Sequence, residues 1–202
     1  METGWIAEAE CVEVRLDISP EKEIEYAVAD LRKKHRIASE NPAKVLVVKG
    51  LVERFSQDRI LIIGQYLEQL HEIATLLQVP IITGKTSNSD RDIIYNDFRA
   101  GKLRVLVVSK VANFAIDLPD ASMAIQISGT FGSRQEEAQR LGRILRPKER
   151  VSRFITLITR NTVEEEFGSN RQKFLAEQGY AYRMVRSIDE IPDLESDCQG
   201  NI

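Results

Sequence analysis

The sequence is poor in the residues that hold disulfide scaffolds and metal centres. Its 202 residues include two cysteines, Cys11 and Cys198, too far apart to suggest a disulfide framework or a ligand cluster. The two histidines, His35 and His71, stand singly in helix-like contexts, so no metal site is expected. No apolar run approaches the roughly 18–20 residues that a membrane helix requires. The opening "METGWIAEAE" is acidic and has no apolar core, so no secretory leader is read there. Internal repeats, low-complexity stretches and a G-x-G-x-x-G fingerprint are also missing, and the last of these disfavours a doubly wound small-molecule transferase. Together these features point to a reducing, cytoplasmic setting without membrane attachment.

Neither sign of charge dominates. With 28 basic and 31 acidic residues the net charge is −3, and on that average nucleic acid is a poor partner. The charges are segregated, however. Residues 134–153 hold seven basic and three acidic side chains, whereas residues 187–202 hold five acidic and none basic. A basic band can bind phosphate on an acidic protein, although a solvated helix face gives the same run.

What is present is a globular α/β pattern, 43% hydrophobic and 29% charged, which excludes a disordered chain. "ECVEVRLDI" alternates apolar and charged residues and predicts a half-buried strand. Ser19-Pro20 predicts a helix start, the helix running to about Ala38. "AKVLVVKGLVERF" is ambiguous, but Val48, Leu51, Val52 and Phe55 share a helical face, which favours helix. Then "RILIIG", "VPIIT", "LRVLVVS", "SMAIQIS" and "RFITLIT" read as short buried strands. Between them, helices are expected over "YLEQLHEIATLL", from Ser89 to Ala100, from Ser133, and from Thr162 to near Gly179. Buried strands alternating with helices predict a mostly parallel, doubly wound sheet with helices on both faces. Ligands on such sheets bind at the carboxyl ends of the strands.

"PIITGKTSNSD" contains Gly84-Lys85-Thr86, the ending of a phosphate-binding P-loop. The motif fails where it can be tested. Its first glycine would fall on Val79, and residues 80–83 read as strand rather than loop. The one Asp-Glu pair, Asp189-Glu190, follows no buried strand. The informative stretch is instead "SRQEEAQRLGRILRP", residues 133–147. On a helix Gln139, Arg143 and Arg146 share one face, opposite Ala138, Leu141 and Leu145. Gly142 is costly there by about 1 kcal/mol relative to alanine, which suggests a close approach. Two arginines and a glutamine so aligned can grip a polyphosphate; an exposed basic helix face gives the same spacing.

"QRLGRILR" resembles motif VI of superfamily 2 helicases. The string from "VLVVSKVANFAIDLPD" to "EEAQRLGRILRP" is similar to XPB-type DNA helicases, most closely the bacterial branch. "RILIIGQYLEQLHEIA" resembles motif IV, and "RQKFLAEQGYAYRMV" the end of those proteins. The resemblance covers about residues 5–186. It implies the carboxyl-terminal RecA-like lobe of an ATP-driven 3′-to-5′ DNA translocase in nucleotide excision repair or transcription-linked DNA opening. It also implies roles. Arg143 and Arg146 would be arginine fingers reaching ATP held by the other lobe, with Gln139 beside the γ-phosphate or the attacking water. Asp117 would contact nucleotide ribose or couple ATP to DNA, although Ala115 stands where that motif usually has glycine. Gln65, Gly84, Lys85, Thr86, Ser109 and Lys110 would contact the DNA sugar–phosphate track.

The expected organisation is one lobe over residues 1–186, with an amino-terminal strand and helices at about 10–55, and a mobile acidic tail over 187–202. ATP and Mg²⁺ are implied for the intact two-lobe enzyme, with neither bound by this lobe alone. The family's P-loop and Mg²⁺-binding Asp-Glu box are missing here, so the chain reads as half of a longer protein, inactive by itself. The implied partners are DNA, the missing amino-terminal lobe and repair nuclease or transcription–repair factors, with the protein at the nucleoid. A stand-alone DNA- or partner-binding module and a lobe of another superfamily 2 translocase are the alternatives.

Overall fold

A computed structural model of the chain describes residues 9–109, 121–128, 152–177 and 179–193. Seven strands form one sheet: β1 (Ala9–Leu16), β2 (Ile60–Gly64), β3 (Ile81–Ile82), β4 (Val105–Ser109), β5 (Met123–Gln126), β6 (Ser152–Thr159) and β7 (Ala181–Val185). Their spatial order is β3-β4-β2-β5-β6-β1-β7, and every described pairing is parallel. The described helices are α1 (Pro20–Val28), α2 (Leu31–Ser39), α3 (Ala43–Arg54), α4 (Leu67–Leu77), α5 (Asn88–Arg99) and α6 (Val163–Glu177).

Side chains alternate across each strand, so the sheet separates two apolar layers. On one face Val12, Val14, Ile60, Ile62, Val107, Ile125 and Ile155 pack with Val48 and Leu51 of α3 and Leu70 and Ile73 of α4. On the other, Cys11, Leu61, Ile63, Leu106, Val108 and Phe154 pack with Tyr95 and Phe98 of α5 and Leu175 of α6. A sheet covered on both sides needs strands apolar at every position, which is why β2 and β4 read as unbroken runs. The expected doubly wound parallel sheet is therefore present.

Four local expectations are corrected. The helix from Ser19 does not run through to Ala38. Ser19 caps α1 as expected, accepting from Lys22 N, but the backbone turns extended at Ala29 and Asp30 caps a new helix through Lys33 N. Helix α5 begins at Asn88, not after Ser89, because Ser87 and Asp90 form an earlier S-x-x-D whose serine accepts from Asp90 N. Strand β7 was not expected; its mostly exposed residues lack the buried-strand pattern. Strand β1 is buried on both faces rather than on one: Val12, Val14 and Leu16 enter one apolar layer and Ala9 and Cys11 the other.

Burial of β1 requires a partner for Glu13, which is fully buried. Its carboxylate accepts from Arg15 Nε at 2.6 Å and from the Tyr182 hydroxyl. Gly168 of α6 makes the room: a Cβ there would lie 2.8 Å from Glu13 Oε2 and 2.7 Å from Ile158 Cδ1.

Beyond residue 186 the chain still packs on the lobe. Ser187 and Glu190 form a capping box on a single 3₁₀ turn, Ile188–Glu190, and Ile191 is fully buried. Arg54 donates to the carbonyls of Ile188 and Ile191, and Arg153 to that of Pro192. Arg153 is itself buried, paired with Glu10 at 2.9 Å and set over the Phe55 ring. The packed body thus reaches Asp193, seven residues past the expected limit; residues 194–202 lie outside the described residues.

One buried group carries a cost. Among the described residues the Tyr95 hydroxyl has no hydrogen-bond partner, and burial pushes its pKa from 10.0 up to about 12. A folded-state pKa above the unfolded value stabilises the protein below about pH 10 and loses that contribution as pH rises through about 12. Tyr95→Phe is expected to raise the melting temperature, because it removes an unsatisfied polar group worth about 1–3 kcal/mol. It should also delay alkaline unfolding. Melting curves from pH 8 to 12 would test this, and a lower midpoint at neutral pH would refute it.

Candidate functional site

The parallel strands deliver their carboxyl ends to one edge of the sheet, and that edge collects the described candidates. Neighbouring strands β3, β4, β2 and β5 end beside Gly84-Lys85-Thr86, at Ser109, beside Gln65 and at Ile127-Ser128. Gln65, Gly84 and Lys85 are exposed, Thr86 is half-buried and Ser109 is buried. The structure thus brings Gln65, Ser109 and the Gly84–Thr86 turn to adjacent strand ends. Lys110, Asp117, Gln139, Arg143 and Arg146 lie outside the described residues.

The turn after β3 explains why Gly84-Lys85-Thr86 is no phosphate cradle. Thr83 N donates to Thr86 Oγ1 at 2.9 Å, Lys85 N to Thr83 Oγ1 at 3.2 Å, and Thr86 N to the Thr83 carbonyl at 3.1 Å. Three amides that a P-loop would point at phosphate are spent within the turn. Helix α5 opens only after Ser87, and Asp90 in its first turn places negative charge at that end. The Lys85 ammonium and the exposed backbone at Gly84 remain available to a ligand in solvent.

Behind this edge lies a polar cluster that the sequence analysis missed. Lys44 on α3 is fully buried. Its ammonium donates to both carboxylate oxygens of Glu164, at 2.9 and 2.8 Å, and to the carbonyl of Ile127 at 2.8 Å. Glu164, in the first turn of α6, also accepts from Ser39 Oγ at 3.1 Å and from Thr159 N at 2.8 Å. Burial pushes the Lys44 amine below the ordinary lysine range, and Glu164 draws it part of the way back. One signal could have found Lys44. It precedes Val48, Leu51 and Phe55 at helical spacing, which puts a lysine on the buried face of α3.

Lys44 meets the sheet where the β2–β5 ladder ends. Ile127 N donates to the Ile63 carbonyl at 2.9 Å, in register with the β2–β5 pairing. The next parallel rung would join Gln65 N to the Ile127 carbonyl. Lys44 takes that carbonyl, and Gln65 N donates instead to Ser128 Oγ at 2.6 Å. Gln126 Nε2 holds the Ser128 carbonyl at 3.2 Å. Gly64 permits this close approach, because a Cβ there would lie 2.7 Å from Ile127 Cγ1 and 2.9 Å from Leu70 Cδ2.

Among the described residues no group of three or more His, Cys, Asp or Glu could hold a metal ion, and no helix is long and apolar enough to cross a membrane. The fold resembles the C-terminal domain of the DEAD-box protein Dbp5, with a TM-score of 0.66 at 18% identity over 87% of this chain and 90% of that one. It also resembles the C-terminal domain of a Sulfolobus solfataricus SWI2/SNF2 ATPase, with a TM-score of 0.57 at 17% identity over 80% of this chain and 85% of that one. In sequence the chain is 47% identical to the DNA 3′-5′ helicase XPB of Kineococcus radiotolerans over 98% of its length and 36% of the relative's. It is 48% identical to the protein of that description from Mycobacterium tuberculosis, over 93% of its length and 34% of the relative's. It thus spans about a third of these relatives. The Drosophila melanogaster general transcription and DNA repair factor IIH helicase/translocase subunit XPB is 36% identical over 96% of this chain and 25% of that protein. The model of the ERCC3/RAD25/XPB C-terminal helicase family matches residues 1–199, and the chain belongs to that family.

Proposed function

We propose that this chain is the second motor lobe of an ATP-dependent 3′-to-5′ DNA helicase or translocase acting in DNA repair or transcription-linked DNA opening. The observation that carries the reading is the family match over residues 1–199, which includes "QRLGRILR" at 139–146. ATP and Mg²⁺ belong to the intact two-lobe protein, where the nucleotide supplies the phosphoanhydride whose cleavage drives movement. This chain has no P-loop, and the turn at Gly84-Lys85-Thr86 uses its amides internally. Its own part is to approach that nucleotide with Gln139, Arg143 and Arg146, with Asp117 nearby. It also grips the DNA sugar–phosphate track with Gln65, Gly84, Lys85, Thr86, Ser109 and Lys110. Contacts of that kind hold the strand without reading its sequence. DNA and the amino-terminal lobe are its direct partners, with repair nucleases or transcription–repair factors recruited by the whole protein. The setting is cytoplasmic, at the nucleoid.

The test is complementation. The pure 202-residue chain is expected to show no DNA-stimulated ATPase, and mixing it with the P-loop lobe of the same protein is expected to restore turnover. DNA-stimulated ATPase from the chain alone would overturn the reading. A complex that forms without restored turnover would favour a DNA- or partner-binding module.

A further inference from the structure

The replaced rung at the end of β2 and β5 joins two segments to which different ligands are assigned above. Gln65, on the β2 side, is exposed and is a candidate for the DNA track. Ser128, on the β5 side, is 1% exposed and is the last described residue before the stretch that carries Gln139, Arg143 and Arg146. The geometry points to Ser128 and Lys44 as positioning residues that couple the DNA side of this lobe to its ATP side, through the Gln65 N–Ser128 Oγ bond. This inference rests on the motor reading above.

Three features single out this rung. A regular backbone bond between Gln65 N and the Ile127 carbonyl would fix β2 and β5 as one rigid ladder, like the rungs before it. Here the carbonyl is withdrawn by a buried ammonium, and a serine hydroxyl stands in for it. A hydroxyl on a single χ1 torsion gives the rung discrete bonded and released states, where a ladder carbonyl would keep it closed throughout. Second, the withdrawal is costly in itself. A buried ion pair is poor evidence for stability, because desolvation of both charges offsets their attraction, so the Lys44–Glu164 pair is better explained by what it fixes. It fixes one carbonyl at the root of the arginine-bearing stretch. Third, the contact is tight on every side. Gly64 has no room for a Cβ, and the Ser128 carbonyl is held by Gln126. A small shift of Gln65 as DNA phosphate is gripped or released is therefore passed to Ser128 rather than absorbed, since packed interiors are bistable rather than soft.

Lys44 and Ser128 need not touch DNA or nucleotide. They act through the backbone at Ile127 and Ser128, and through the distance over which the arginines must be placed. Misplacement of a reacting group by about 1 Å can cost on the order of 100-fold in rate, so a modest loss of registration is measurable.

The experiment uses the full-length protein. Ser128→Ala removes the acceptor and leaves Gln65 N to solvent. The expected result is a fall of about tenfold in kcat at saturating DNA, with KM for ATP held within about twofold. The ratio of DNA-stimulated to DNA-free turnover should fall with it, and Ser128→Thr, which keeps the oxygen, should retain most of the stimulation. The paired replacement Lys44→Met with Glu164→Leu removes both buried charges and frees the Ile127 carbonyl to complete the ladder. It should show the same loss of stimulation in a protein that melts cooperatively. If both variants keep wild-type stimulation, or if turnover falls with and without DNA in the same proportion, the rung is structural and the inference is wrong. Arg143→Ala in parallel separates the two levels of the argument. An inactive Arg143→Ala beside a fully stimulated Ser128→Ala overturns the coupling alone, an active Arg143→Ala overturns the arginine assignment and the ATP end of the coupling with it, and a wild-type protein without DNA-stimulated ATPase overturns the motor reading.

Discussion

Alanine at both Arg143 and Arg146 in the full-length protein is expected to lower DNA-stimulated ATP turnover by about 10³–10⁵-fold, the range that arginine fingers contribute to phosphoryl transfer. The effect should fall on kcat, with KM for ATP little changed, because a guanidinium aimed at charge that develops on the transferred group binds the transition state more tightly than the ground state. Each single replacement should cost nearly as much as the pair, since groups acting on one phosphoryl centre are not additive. Arg143→Lys should not rescue, because an ammonium is a point charge and cannot meet two phosphate oxygens with a planar fork. DNA affinity should be retained, which separates this loss from a folding defect. Turnover that survives the double replacement would remove both arginines from the nucleotide site and leave "QRLGRILR" as a surface-exposed basic helix.

The layered architecture was legible because its signals are local. Unbroken apolar runs such as "ILIIG" and "VLVVS" can be satisfied only inside a sheet covered on both faces, and the helical stripes between them supply the covers. The sequence reading failed where a side chain met something distant in the chain. The alternation along β1 looks like a strand with one wet face. In the fold its charged positions are satisfied by Arg153, Arg183 and Tyr182, residues contributed by β6 and β7. The acidic end looked mobile because charge dominates its composition. Ile188, Ile191 and three backbone carbonyls are what α3 and Arg153 engage, and Gly50 opens space for Ile188.

The candidate site divides the same way. Strand ends are readable from strand boundaries, so the sequence alone places Gln65, Ser109 and the Gly84–Thr86 turn at strand ends. A β-strand turn and a P-loop share three letters here; Val79 in place of the first glycine already separates them, and what the letters leave open is whether the amides face inward or outward. Only the hydrogen bonds of the turn decide that. Lys44 and Glu164 lie 120 residues apart, and neither is distinguishable by type from the exposed lysines and glutamates around it. Periodicity marks Lys44 as inward-facing, but nothing in the sequence names its partner.

That pair sets the second large effect. Glu164→Ala is expected to destabilise the protein by about 3–5 kcal/mol, the range for removing one partner of a buried ion pair. Lys44 would keep its contact to the Ile127 carbonyl but lose both carboxylate oxygens, and Ser39 Oγ and Thr159 N would lose their acceptor. The alternative for Lys44 is to shed its proton, which burial already favours, and the destabilisation should therefore ease as pH rises. Between the depressed folded-state pKa and the ordinary lysine pKa the unfolded chain holds the Lys44 proton while the folded variant has shed it, so raising the pH across that window favours folding. Lys44→Met with Glu164→Leu should recover more than half of the loss, because two apolar side chains carry no desolvation cost and can fill the space. Urea titrations of the wild type, the single and the double variant would decide. A double variant as unstable as Glu164→Ala would mean that the pair holds the fold rather than the register of β2 on β5, and would remove Lys44 from the coupling. Recovery of stability without recovery of DNA stimulation would instead assign the two charges to the rung they displace.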